Sequence, residues 1–293
     1  MDGVAASLVG GDREDMSSSD DVAGRTFYKM TGSGNDFVFF DVRGSQPGVL
    51  ERPDVISTLS ARGTGVGADG VVFLLDTPGA DVTLRYYNAD GSLAALCGNA
   101  TLCTAALAAR LGGVDPAGFT IGTDAGVLAA RIRPEGPEFD FPAVSIVQPA
   151  VEAIPAGPGE RRLGFAVAGV PHIVIVVDDI EAVDVVGRGR PLRFDPSLPE
   201  GANVNFVTRQ ADGSWLIRTY ERGVENETLA CGTGNVASAI LLNVWGEAAS
   251  NEVRLITRSG LPLTVRVSES EGIWRPSLQG EGRLVFTGTL GSI

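Results

Sequence analysis

Short strand-like runs, bounded by Gly, Pro or Asp, recur along the chain: the continuously apolar Phe37-Val-Phe-Phe40, Val71-Val-Phe-Leu-Leu75 and Ile173-Val-Ile-Val-Val177, and the alternating Leu263-Thr-Val-Arg-Val267. β-Branched and aromatic side chains fill them, and each predicts a strand. Only two longer segments look helical, residues 97–111 and 231–244, both rich in Ala and Leu and both preceded by loop chemistry. They are apolar nearly all round, which predicts helices enclosed by protein rather than lying on a surface. Few helices among many strands predict an α+β fold with sheets wrapped around central helices, in preference to a doubly wound parallel sheet. A stretch dense in Pro, Gly and Ala, residues 134–158, divides the chain near its middle.

The two halves so defined carry an ordered internal repeat. Gly34-Asn-Asp-Phe-Val-Phe-Phe-Asp41 lines up with Pro171-His-Ile-Val-Ile-Val-Val-Asp178. Further on, Arg85 leads to Leu96-Cys97-Gly98-Asn99 as Arg218 leads to Ala230-Cys231-Gly232-Thr233, with distances that differ by one residue. The repeat predicts two like domains related by a pseudo-twofold axis, each offering a Cys-Gly dipeptide at the start of its central helix. If the domains face one another, both thiols share one cleft.

Composition narrows the chemistry. With 36 acidic against 23 basic residues among 293, the net charge is −13, the wrong sign for a surface that tracks nucleic-acid phosphates. No apolar run is long enough to span a bilayer, so neither nucleic acid nor membrane is an expected partner. Three cysteines cannot build a disulfide framework; free thiols and a cytoplasmic, reducing location are expected. The first 25 residues lack the basic and hydrophobic regions of a signal peptide and read as a solvated acidic tail. His172 is the only histidine and Lys29 the only lysine. With one histidine and no C-x-x-C pair, no metal site is expected, and Lys29, in a strand-like stretch without a phosphate cradle, does not suit pyridoxal phosphate.

Cys97 and Cys231 each sit where loop becomes helix, where unpaired first-turn amides and the helix dipole favour negative charge. A free cysteine titrates near about 8.5, and such a position can bring it toward about 7, so a thiolate and a thiol are expected to coexist near neutral pH. That is a base paired with an acid. The glycines behind the cysteines leave amides open to an amino acid's α-carboxylate. A Cα–H held between the sulfurs could be removed on one face while a proton is delivered to the other, inverting the centre without a cofactor. Were the sulfurs close enough to bond, the pair could also be oxidised to an inactive form. Cys103, inside the first helix with no counterpart in the second, reads as core packing.

The chain resembles the diaminopimelate epimerase family from about Tyr28 to near its C-terminus. The resemblance is carried by Gly32-Ser-Gly-Asn-Asp-Phe37, Gly65-Val-Gly-Ala-Asp-Gly70, Asn88-Ala-Asp-Gly-Ser92, Cys97-Gly-Asn99, Pro171-His172, Gly201-Ala-Asn-Val-Asn-Phe206, Tyr220-Glu-Arg-Gly223 and Glu227-Thr-Leu-Ala-Cys-Gly-Thr-Gly234. It implies an isomerase, independent of pyridoxal, that interconverts LL- and meso-diaminopimelate for lysine and peptidoglycan precursors. Cys97 and Cys231 would be acid and base, with His172 and Glu221 tuning them. Gly98, Asn99, Gly232 and Thr233 would hold the reacting end of a small amino acid substrate, and Asn35, Asn88, Asn203, Glu221 and Arg222 would complete its recognition. The arginine's planar fork suits the distant carboxylate. The implied organisation is a tail over residues 1–25, epimerase halves over 26–145 and 146–280, and a terminal strand over 281–293 returning to the first half; a homodimer is compatible with it.

Four departures bear on the substrate. Gly169-Val-Pro-His172 stands where the family commonly has Gly-Asn-Pro-His, and Glu225-Asn226 occupies the place of a single glycine. Leu102 replaces an arginine, and Ala100 a glycine. Valine cannot hydrogen-bond a polar ligand, and a buried polar group left unpaired costs about 1 to 3 kcal/mol. A racemase of a different amino acid, or a binding protein that has lost catalysis, are therefore the competing expectations.

Overall fold

The computed structural model describes residues 22–292, so the expected acidic tail lies outside the described residues up to residue 21. Its end is anchored although Ala23, Gly24 and Arg25 are exposed: Val22 is buried against the first half, and the Gly24 amide donates to the Leu290 carbonyl at 2.8 Å. The eighteen strands among the described residues form one hydrogen-bonded system, with four α-helices: α1 (Pro53–Ser60), α2 (Gly98–Leu111), α3 (Val185–Arg193) and α4 (Gly232–Val244). The fold is mixed and sheet-dominated, with the two long helices where their Ala- and Leu-rich sequences placed them.

Each half repeats one plan. Strand Asn35–Asp41 runs parallel to Gly70–Leu75, which pairs antiparallel with Val82–Asn88; in the second half Val170–Val177, Asn203–Arg209 and Trp215–Glu221 do the same. A short helix, α1 or α3, connects the parallel strands, and α2 or α4 follows the third. Alternation along the apolar runs separates two faces. In Phe37-Val-Phe-Phe40, Phe37 and Phe39 join the core around α2 and α4, whereas Val38 and Phe40 pack with Ile56 and Leu59 of α1. Both faces being covered, these strands show no polar alternation.

Strand pairing corrects the repeat alignment by two residues. Arg85 pairs with Phe73, which pairs with Phe40; Arg218 pairs with Phe206, which pairs with Ile175. Phe40 is thus equivalent to Ile175, Phe37 to His172, and Asn35 to Val170. The hairpin before the strand is also one residue shorter in the second half, Gly32 pairing with Asn35 across two turn residues and Ala168 with Val170 across one, which accounts for part of the slip.

The halves are tied by exchanged strands. Residues 134–158 are more than a linker, since Gly136–Asp140 pairs with Ile273–Gln279 of the second half and Val147–Gln148 with Glu160–Ala168. Reciprocally, Arg283–Thr289 pairs with Thr26–Gly32. At the seam the fully buried Glu138 accepts hydrogen bonds from Arg131 and Arg133 (both 2.8 Å), and from Arg266 (3.0 Å) and Ser277 (2.6 Å) of the other half. Burial alone would raise this carboxyl, but these partners outweigh it and hold it at about 2.

At the centre the first turns of α2 and α4 abut. A Cβ built on Gly98 would lie 3.2 Å from Leu278 Cδ2 and 3.6 Å from the Gly232 Cα, and one on Gly232 would meet the same leucine at 3.2 Å and the Gly98 Cα at 3.5 Å. Replacing either glycine by alanine is expected to cost about 1–3 kcal/mol through overpacking, read as a lowered denaturation midpoint at unchanged slope. Glu138 yields a pH-dependent expectation. Its folded pKa lies below the unfolded value, so its contribution is complete above pH 4.5 and disappears as pH falls toward about 2. Glu138→Gln should lose about 3 kcal/mol at neutral pH and flatten the acid limb of the stability curve.

Candidate active site

Cys97 and Cys231 are the N-cap residues of α2 and α4, in nearly identical extended conformations (φ −132°, ψ 115° and φ −135°, ψ 105°). Both line one open cleft of about 970 Å³ between the halves. The Gly98–Gly232 approach explains why: each helix start carries its thiol to the place where the other begins. Cys103 is buried in the core with its sulfur near Gly32, and all three cysteines are free thiols.

The electrostatics differ from those expected of helix N-termini. Burial pushes the Cys97 thiol up to about 11, with the negative charges of Glu221 and Asp69 adding to the rise and the amides of Ala100 and Asn99 opposing it. Cys231 is raised further by burial and Glu221, against the Thr233 hydroxyl, 3.3 Å from its sulfur, and the Gly234 amide. Removal from water thus outweighs the helix dipole at both sulfurs, and both are thiols near neutral pH. Glu221 shapes this field from the cleft wall; burial raises its own carboxyl, and the Thr228 hydroxyl bonds it at 2.6 Å.

Of the other expected site residues, Asn35, Asn88, Gly98, Asn99, Arg222, Gly232 and Thr233 also line the cleft. Asn35 is held on both sides, donating to Asp69 at 2.9 Å and accepting from Asn99 at 2.7 Å. Asn88 donates to Ser92 Oγ at 3.0 Å in the turn that presents it. The Arg222 guanidinium donates to the Glu200 carbonyl at 3.0 Å. Asn203 and His172 lie behind this lining. Asn203 is buried and accepts from the Arg222 amide at 2.7 Å, so it holds the turn that carries the arginine. His172 is fully buried, and burial together with the Arg222 charge keeps its imidazole neutral, at about 3.

Sequence reasoning missed several parts of the wall. Arg62, its side chain 63% exposed, bridges Asp36 (2.6 Å) and Asp69 (2.7 Å). Lys29 donates to the same Asp36 and to the Gly67 carbonyl. This chain of charges ends at Asn35 and, through it, at the first turn of α2. Asp69 lay within the Gly65–Gly70 motif, where its acidity was the available signal; Arg62 had none. The two substituted positions singled out from the sequence are not part of the lining: Val170 takes the place equivalent to Asn35 but does not face the cleft, and Glu225, of the two-residue Glu225-Asn226 insertion, is left-handed (φ 57°) and accepts from Arg193 at 3.2 Å, tying the turn that follows Arg222 to α3.

Paired cysteine half-sites on a duplicated sheet-and-helix frame define an isomerase of the epimerase and racemase class. The chain belongs to the diaminopimelate epimerase family: the family model described as diaminopimelate epimerase matches residues 27–147 and 165–276. A protein of Gemmatimonas aurantiaca named diaminopimelate epimerase is 46% identical over 278 residues, covering 92% of this chain and all of its own. One of that name from Aquifex aeolicus is 38% identical over 275 residues, covering 90% of this chain and 97% of its own. Among solved structures, a PhzF-family phenazine biosynthesis protein of Bacillus anthracis shares the fold at 16% identity (TM-score 0.69; 91% of this chain, 98% of the other). A hydroxyproline epimerase of Agrobacterium vitis, solved with bound trans-4-hydroxy-L-proline, shares it at 18% identity (TM-score 0.64; 91% and 93%). Among the described residues no helix is long and apolar enough to cross a membrane.

The order of the thiol pKa values is testable on the free protein. Cys97 is both the more accessible and the less raised, so alkylation followed by mass spectrometry should modify it before Cys231. Its rate should keep climbing with pH toward about 11, with no plateau near neutrality.

Proposed function

We propose that this protein interconverts LL- and meso-diaminopimelate, with Cys97 and Cys231 exchanging protons at the substrate's α-carbon from opposite faces. The observation that carries the reading is the pair of cysteine N-caps lining one cleft, at helix starts that touch through Gly98 and Gly232.

The first-turn amides behind Gly98-Asn99 and Gly232-Thr233 suit the α-carboxylate, since both helix ends present positive partial charge there. One sulfur, having given its own proton to the solvent of the open cleft, takes the Cα proton as a thiolate; the other, still a thiol, delivers its proton to the opposite face. The reverse turnover exchanges these duties, so each sulfur must be able to hold a proton between turnovers. Thiol pKa values raised by burial favour the protonated partner, while the developing anion draws on the amides, which need no reorganisation. Glu221 and His172 tune the pair, Glu221 through its negative field at both sulfurs. Asn88 and Arg222, on the wall away from the helix starts, suit the polar distal end of a diamino diacid, and Asn35 and Asn203 hold the frame around them.

In deuterated water the wild-type protein should wash solvent deuterium into Cα of diaminopimelate as it interconverts the isomers. Cys97→Ala and Cys231→Ala should each lower turnover by about a hundred- to ten-thousand-fold. Full turnover in either variant rejects the mechanism. A panel of other amino acids tests the substrate: efficient racemisation of any of them, with diaminopimelate inert, rejects the assignment.

A further inference from the structure

Three polar side chains lie in a row on the inner face of the second half's sheet, beneath α4. Thr219, Asn205 and His172 occupy three adjacent strands, and all are buried. Burying such groups is costly unless they bond one another, and here they do so in one direction. The Thr219 hydroxyl donates to Asn205 Oδ1 at 2.9 Å. Asn205 Nδ2 then donates to the Ile173 carbonyl at 2.9 Å and faces His172 Nδ1 at 3.1 Å.

The orientation of the amide is fixed by its neighbours. A backbone carbonyl only accepts, so the nitrogen of Asn205 must face Ile173, and the hydroxyl completes the oxygen side. An NH2 group opposite His172 Nδ1 requires that nitrogen to accept. The ring proton therefore sits on Nε2, the one ring nitrogen left buried without a partner. A buried orphan donor in a native fold calls for an explanation.

The duplication supplies one. By strand register the first half carries Phe37, Val72 and Tyr86 at the three equivalent positions, with the two rings edge to face at 5.8 Å. The same frame packs well with apolar residues there, so the polar row is not demanded by the fold. A Cβ at Gly234, beside Cys231, would collide with Asn205 Oδ1, so the row is seated directly against the first turn of α4.

We propose that Asn205, braced by Thr219, is a positioning residue that fixes the sole histidine as its neutral Nε2–H tautomer, keeping a hydrogen-bond donor in reserve for the substrate-bound site. This rests on the two-thiol reading above and deepens it. Asn205 touches neither thiol nor cleft. Its effect runs through His172, and it makes the two half-sites chemically unlike.

Because the chain has one histidine, 15N-histidine labelling of the whole protein gives a single pair of ring-nitrogen signals. NMR at neutral pH should show a protonated Nε2 and a bare Nδ1. A proton on Nδ1, fast averaging of the two tautomers, or a doubly protonated ring overturns the proposal. Asn205→Asp, which replaces the donor with an acceptor, should move the proton to Nδ1 and lower kcat by about tenfold or more with KM nearly unchanged. Thr219→Val, which removes only the brace and keeps the side-chain shape, should produce tautomer averaging in a folded protein. An unaltered Nε2–H signal in either folded variant sinks the proposal. The tautomer is read without turnover, so an absence of deuterium exchange would reject the two-thiol reading while leaving the tautomer result intact.

Discussion

The whole arrangement hangs on backbone meeting backbone where α2 and α4 begin. With glycine at 98 and 232 the two first turns lie close enough that an added Cβ on either would meet the other's Cα at 3.5–3.6 Å, with Leu278 filling the space beside them. That approach brings two sets of unpaired first-turn amides, and the cysteine that caps each, to one cleft. A helix start is a weak anion site alone; two opposed across a narrow gap form a site with two faces, which is the geometry a stereocentre needs in order to invert.

Around that contact the protein spends most of its polar groups on rigidity rather than on direct recognition. Asn35, Asn203 and Asn205 are each engaged by other protein groups before any ligand arrives. The Lys29–Asp36–Arg62–Asp69 series braces the first half of the cleft, and Glu138 fastens the seam. With charged partners settled in advance, little of the electrostatic work remains for the moment of proton transfer. Burial favours the protonated form of both sulfurs, so the amides of the two first turns oppose a desolvation cost that they do not overcome.

Much of this was legible in the sequence because it is encoded locally. Continuous β-branched runs marked strands covered on both faces, and the two Cys-Gly helix starts marked the half-sites. What escaped was set by contacts between distant segments. The repeat slipped by two residues because similar apolar runs can be laid on one another in more than one register, and only pairing fixes which is right. Thiol acidity was misjudged because a helix dipole can be read from a cap position, whereas desolvation depends on what closes over it. Arg62 carries no distinguishing pattern, and Asn205, though inside the Gly201–Phe206 motif, has nothing local to show its role; both matter through partners in other segments.

The exchange of end strands reaches further than stability. Arg283–Thr289 completes the sheet that begins with Thr26–Gly32, and Val147–Gln148 completes the one that begins with Glu160–Ala168. A single half made alone would present an open edge that nothing of its own can cover, and a second copy of itself would fit that edge. The symmetric scaffold nevertheless has an asymmetric interior, with Phe37, Val72 and Tyr86 in one half where the other carries His172, Asn205 and Thr219. Severing the halves would therefore strip each of a strand it does not make for itself, and the cleft would be lost before either helix start was disturbed.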